Sequence, residues 1–221
     1  MKLQMHHVQD KSQAVSEGIF SATCILHPAS YPLHIALILT ILSSLLAAFP
    51  PVAYAASAQT QQSVTIDADA DTFVNSQQAS TPFGTDRSII VSEVSTVLAV
   101  QERGLLHFDL SAIPPGSIIN KAGIRLYQTN ATGDWLLNID RIVEAWDEAT
   151  VTFRTAPKVE VSLSNLDAPL VTSQYVTWDI TNPVRQWVYL PGSYPNYGLQ
   201  VRGNGVVGSA LGRAFESREA T

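Results

Sequence analysis

From Val64 onward the chain alternates apolar and polar residues over short stretches punctuated by turn-forming clusters, the period-two pattern of half-buried strands. The clearest stretch is RGLLHFDL, Arg103 to Leu110. Leu106, Phe108 and Leu110 fall on one face, and Arg103, Leu105, His107 and Asp109 on the other. The Pro114-Pro115-Gly116 that follows stops any helix and makes a corner, because proline donates no backbone hydrogen bond and Gly116 tolerates positive φ. Strands are predicted over Val64 to Asp67, Arg87 to Ser92, Gly104 to Leu110, Lys121 to Thr129, Leu136 to Val143, Tyr175 to Ile180, Tyr197 to Arg202 and Arg213 to Ser217. Turn clusters separate them at Pro82-Phe83-Gly84, Thr129 to Asp134, Pro191-Gly192-Ser193 and Gly203-Asn204-Gly205. One short helix is predicted after Ile180, with Thr181 as N-cap, Pro183 in its first turn, and Val184, Trp187 and Val188 on one face. This spacing predicts an all-β sandwich with antiparallel strands.

The first 55 residues follow a different pattern. Leu33 to Phe49 is an uncharged apolar run, and Ala53-Tyr54-Ala55, just after Pro50-Pro51, has the small-x-small form of a signal peptidase site. Residues 1–55 therefore read as a secretory signal with an atypically long N-terminal region, and about 17 apolar residues is the short limit for the alternative, a membrane anchor. Lys2 and Lys11 are offset by Asp10 and Glu17, so the usual positive N-region is weak, and a misassigned start is one explanation. Cys24 precedes the apolar run rather than ending it, which argues against lipidation there. Residues 56–63, small and polar, read as a linker, and residues 64–221 as the folded domain.

Removal of residues 1–55 leaves no cysteine and no methionine, with His107 as the single histidine. A disulfide framework is then excluded, and stability must come from the core. Zinc sites built from cysteine and histidine are excluded as well. A Ser-His-Asp triad would have to use His107, whose position in a strand is explained by packing. Of the 13 Lys and Arg only Lys2 and Lys11 are lost, leaving 11 against 17 Asp and Glu. This mildly acidic balance, with no basic run or phosphate loop, argues against nucleic acid and against a membrane surface once the signal is cleaved.

Several short motifs recur in one order: FDLS-x-IP-x-G-x-x-I at Phe108 to Ile119, IRLY at Ile124 to Tyr127, W-x-E-x-x-V-T-F at Trp146 to Phe153, WDIT at Trp178 to Thr181, VRQW at Val184 to Trp187, NYGL at Asn196 to Leu199 and FESREA at Phe215 to Ala220. Together they resemble the disaggregatase-related, or DNRLRE, domain, a family like the carbohydrate-binding modules. The resemblance covers roughly Ile66 to the end and implies a jelly roll. It also implies one further strand beyond Thr221, without which an edge would lie open and stability would fall.

Trp146, Trp178 and Trp187 read as core indoles, and Trp135 in NATGDW as either a platform for a sugar ring or a rim residue. Asp67, Asp69 and Asp71, two residues apart, are either solvated acids beside a bend or ligands of a structural calcium, which is common in jelly-roll sugar-binding modules. The glycine of an EF-hand loop is replaced by Thr72. Glu144, Asp147 and Glu148 are the acids to test for a glycosidase pair. Arg103, His107, Arg125 and Tyr127 occupy like-parity positions on two strands and could share a sheet face, as a lyase or a uronate-binding site would require. Arg87 and Lys121 extend the cationic candidates, since guanidinium groups pair bidentately with carboxylates. Related domains tend to carry Arg or Lys where His107 stands.

The expectation is a secreted or cell-surface, non-catalytic module for acidic, uronate-containing polysaccharide such as alginate, without a cofactor other than the calcium above. Its expected setting is as one module of a longer polypeptide. The alternatives are a structural spacer of a larger cell-surface protein and, further off, a polysaccharide-degrading enzyme.

Overall fold

The computed structural model describes residues 1–9, 61–94, 100–133, 136–160, 165–167, 169–203 and 210–220. Cys24, the apolar run, residues 56–60, Asp134, Trp135 and the Asn204-Gly205 turn lie outside the described residues. Met1–Asp10 and Thr60–Thr221 belong to one compact unit.

Twelve strands are found among the described residues: β1 Lys2–Gln9, β2 Gln61–Asp67, β3 Ala70–Asn75, β4 Ser88–Val94, β5 Val100–His107, β6 Ser117–Thr132, β7 Leu136–Ile142, β8 Val159–Glu160, β9 Asn165–Asp167, β10 Gln174–Asp179, β11 Leu199–Gly203 and β12 Ala210–Glu216. The main hydrogen-bonded path runs β2-β1-β6-β12-β4-β5-β11-β7-β8, with β10 paired to β6, β3 to β5 and β9 to β7. All pairings are antiparallel. One apolar core takes Leu3, Ile66, Ile124 and Leu126 from one end of the path and Leu106, Ile139, Leu199 and Val201 from the other. The path therefore folds over so that both ends bury their inner faces against each other, which is an all-β sandwich.

The predicted parity holds in β5, where Leu106 is fully buried in that core together with Phe108 just beyond the strand. Leu105, on the other parity, is also fully buried. It belongs to a second cluster with Val74, Ile142 and Val151, against which Trp146, Phe153 and Tyr197 pack. The 143–158 segment thus covers the outside of β5, and alternation alone could not reveal a strand buried on both faces. Strand β3 escaped prediction for the same reason, since Asp71 through Asn75 are all buried. Gly104 sits where a Cβ would come within 2.7 Å of Ile89 Cγ2, so the close approach of β4 to β5 requires glycine there. Gly116 has φ of 79°, as its corner requires.

Boundaries differ from prediction in physical detail. Residues 61–63 of the expected linker belong to β2, and Leu110 leaves the strand to begin a 3₁₀ turn whose amide at Ser111 is capped by Asp109, 2.9 Å. The helix, α1 Thr181–Tyr189, buries Val184 and Trp187 as predicted. Its N-cap, however, is Ile180 without a side-chain cap. The Thr181 hydroxyl is spent on the backbone of Ala122 in β6, at 3.0 and 3.3 Å, and Asp179 Oδ1 accepts from the Thr181 amide at 2.8 Å. No helix among the described residues is long and apolar enough to cross a membrane.

Strand β1 is an addition the pattern did not predict. It lies between β2 and β6, with Leu3 and Met5 fully buried, and β2 has no other strand partner among the described residues. In the intact chain the first residues of the expected leader are thus a core strand.

Candidate functional site

The exterior of the β2-β1-β6-β10 layer is an exposed sheet face that carries several predicted site residues. Along β6, Ala122, Ile124 and Leu126 point into the core, so Lys121, Gly123, Arg125 and Tyr127 line the outside. Along β10, Val176 and Trp178 point in, leaving Tyr175, Thr177 and Asp179 outside. Antiparallel register sets Tyr127 opposite Tyr175, and Arg125 opposite Thr177 on one side and Lys2 on the other. Gln4 pairs with Thr65, and Lys2 with Asp67, on the same exterior.

Register brings three side chains into one cluster. The Arg125 guanidinium lies 3.8 Å above the Tyr175 ring, and Tyr127 meets that ring edge-on at 5.0 Å. Tyr175 is 49% exposed. Among the described residues Arg125 makes no hydrogen bond or ion pair, so its N–H groups remain available to a ligand. Two shallow depressions flank the cluster. One, of about 560 Å³, runs along β10 beside Asp167, Pro169 and Val171, and the other, of about 550 Å³, is bounded by Asn120, Lys121, Asp179, Asn182 and Arg185. Lys2, Lys121, Arg125 and Arg185 therefore meet the carboxylates of Asp67, Asp167 and Asp179 on and beside this face, a small local cationic excess in a chain of net charge −6.

The remaining predicted residues lie elsewhere. Strands β5 and β6 are separated by β12 and β4 along the path, so Arg103 and His107 do not share a face with Arg125 and Tyr127. Like parity specifies inside or outside but not which sheet, and the two pairs stand on the exteriors of different layers. Arg103 donates to Gln101, 2.8 Å, and lies 5.3 Å over Phe153. Burial, then the charge of neighbouring Arg202, draws its guanidinium below the ordinary arginine range. His107 Nδ1 sits 2.7 Å from Asp69 Oδ1, beside a small depression of about 150 Å³ lined by Trp146, Asn196 and Tyr197. Arg87 donates to the Glu219 carbonyl, 3.2 Å.

The acids are equally dispersed. Asp67 is exposed beside Lys2, Asp69 meets His107, and Asp71 turns inward, 1% exposed, so the three do not converge on one ion. Glu144 is hydrogen-bonded by Lys158, which holds its carboxyl below the usual range; Asp147 Oδ1 accepts from Thr150, 2.8 Å; Glu148 is bound by Arg218. Trp178 and Trp187 are core residues, whereas Trp146 is half-buried and donates its indole N–H to the Tyr197 carbonyl, 2.8 Å. Tyr175 was missed as a site residue, although its alternation with Val176 and Trp178 marks it as outward in the sequence.

An all-β sandwich with an exposed aromatic and cationic sheet face is an architecture that suits a binding module. The chain belongs to carbohydrate-binding module family 96, whose model matches residues 62–221. The family is one of carbohydrate binders. No curated protein matches the chain in sequence. Strand β1 lies outside the matched residues.

Proposed function

We propose that this domain is a secreted, non-catalytic module that binds acidic, uronate-containing polysaccharide such as alginate on the exterior of β6 and β10. The observation that carries this reading is the unspent guanidinium of Arg125 stacked 3.8 Å over the half-exposed ring of Tyr175. The ring holds the guanidinium plane in place, so little side-chain entropy is lost when it forks onto a uronate carboxylate. The exposed tyrosine edge offers apolar contact to the C–H face of a neighbouring sugar. Lys121 and Arg185 extend the cationic track to further uronates. A non-catalytic role is supported by Glu144, Asp147 and Glu148 each being held by a structural partner.

Affinity electrophoresis in gels containing alginate, pectin or a neutral glucan tests this. Retardation on uronates is expected, weakening as salt screens the contact. Arg125→Ala should weaken it by about 10- to 100-fold, the equivalent of a charge-assisted hydrogen-bonding contact of about 1.5–3 kcal/mol. Arg103→Ala should leave it unchanged. Retardation equal for Arg125→Ala and the parent would refute the site, and no retardation on any polymer would favour a structural spacer instead.

A further inference from the structure

Three segments distant in sequence meet beside the start of β3. A carboxylate oxygen from each of Asp71, Glu148 and Glu219 lies within 4.8 Å of the others. Glu148 belongs to the turn that follows Trp146, and Glu219 to a 3₁₀ turn, Arg218–Ala220, at the other end of the domain. Part of this acid cluster is satisfied. Asp71 Oδ2 accepts from the Arg218 amide, 3.0 Å; Glu148 Oε1 accepts from the Asp71 amide, 2.8 Å, and from Arg218 Nε, 3.2 Å; Arg218 Nη2 donates to Glu148 Oε2; and Glu219 Oε1 lies 2.9 Å from Arg218 Nε.

Two oxygens are left over. Among the described residues, Asp71 Oδ1 and Glu219 Oε2 are shielded from solvent and accept no hydrogen bond. Asp71 is 1% exposed, and a buried carboxylate oxygen with no donor carries a desolvation cost that a folded domain ordinarily offsets with a partner. Arg218 contributes one positive charge to three carboxylates. A cation within reach of several carboxylate oxygens, and tolerant of irregular geometry, would offset both the orphaned oxygens and the excess negative charge. The donor set is all oxygen, which selects a hard cation, and calcium takes six to eight oxygens at about 2.3–2.6 Å in flexible arrangements, with waters completing the shell.

We propose that Asp71, Glu148 and Glu219 hold a calcium ion that clamps the Arg218–Ala220 turn to β3 and to the Glu148 turn. The site differs from the Asp67, Asp69 and Asp71 run suggested by sequence, of which only Asp71 takes part. It lies apart from Arg125 and Tyr175, so it stabilises the domain independently of sugar binding.

The full chain, stripped with EDTA and dialysed at pH 7.5, is titrated with calcium chloride while thermal unfolding and binding heat are recorded. A single saturable site is expected. At calcium about a hundredfold above its Kd, linkage gives about 2.7 kcal/mol of stabilisation, seen as a rise in Tm of roughly 5–10 °C. Asp71→Asn and Glu219→Gln should each abolish the rise, the less buried Glu219 giving a second, independent readout. A parent Tm indifferent to calcium would overturn the proposal, as would a rise that survives both substitutions. In the second case the ion binds elsewhere.

Discussion

The position of β1 yields the sharpest stability prediction. Leu3 and Met5 are fully buried in the main core, whereas Gln4 between them is exposed on the sheet exterior. Truncating a buried Leu or Met to Ala costs about 2–5 kcal/mol, the lost transfer energy plus the cavity left behind. The two side chains are neighbours on one face, so their effects should not add strictly. Even so, the pair removes a large share of a typical total of about 5–15 kcal/mol. The backbone adds to the effect, because β1 hydrogen-bonds β2 on one side and the first half of β6 on the other. Without β1, β2 has no remaining strand partner among the described residues. Guanidinium unfolding followed by tryptophan fluorescence is a suitable assay, since Trp178 and Trp187 are both buried. A loss of about 3 kcal/mol should lower the midpoint by roughly 0.5–1.5 M for a slope of about 2–6 kcal/mol/M. Leu3→Ala and Met5→Ala should each show it, while Gln4→Ala should stay within about 0.5 kcal/mol of the parent. If all three variants melt with the parent, β1 does not contribute to the core. The expected leader cleavage after Ala55 would remove this strand, so the intact mass of the protein isolated from its own host reads directly whether it is kept.

Two further outcomes follow from the core. Gly104→Ala places a Cβ 2.7 Å from Ile89 Cγ2 and should cost about 1–3 kcal/mol by overpacking, measured by the same titration. In EDTA, burial first, then the charges of Glu219 and Glu148, pushes the Asp71 carboxyl up from 3.8 to about 6 against the opposing Arg218 amide. The folded value lies above the unfolded one, so stability falls as pH rises from about 4 to about 6, and the folded state carries a penalty of about 3 kcal/mol at pH 7.5. Asp71→Asn should recover most of that at pH 7.5 and only about 1 kcal/mol near pH 4.5; a gain independent of pH would contradict the assignment.

Much of the domain is legible without coordinates, because side-chain parity is a local property. The inward run of Leu106 and Phe108, the corner at Gly116, the helix face of Val184 and Trp187, and the outward placing of Arg125 and Tyr127 all follow from residues adjacent in the chain. Tertiary structure alone decides which strands become neighbours. Pairing is set by contacts between distant segments, so parity could not separate Arg103 from Arg125, and no local signal marks Lys2–Gln9 as a strand between β2 and β6. Strand β3 and Leu105 are covered on both faces by segments that pack there only once the chain has folded. Asp71, Glu148 and Glu219 lie 77 and 71 positions apart and read as ordinary surface acids until folding removes water from between them.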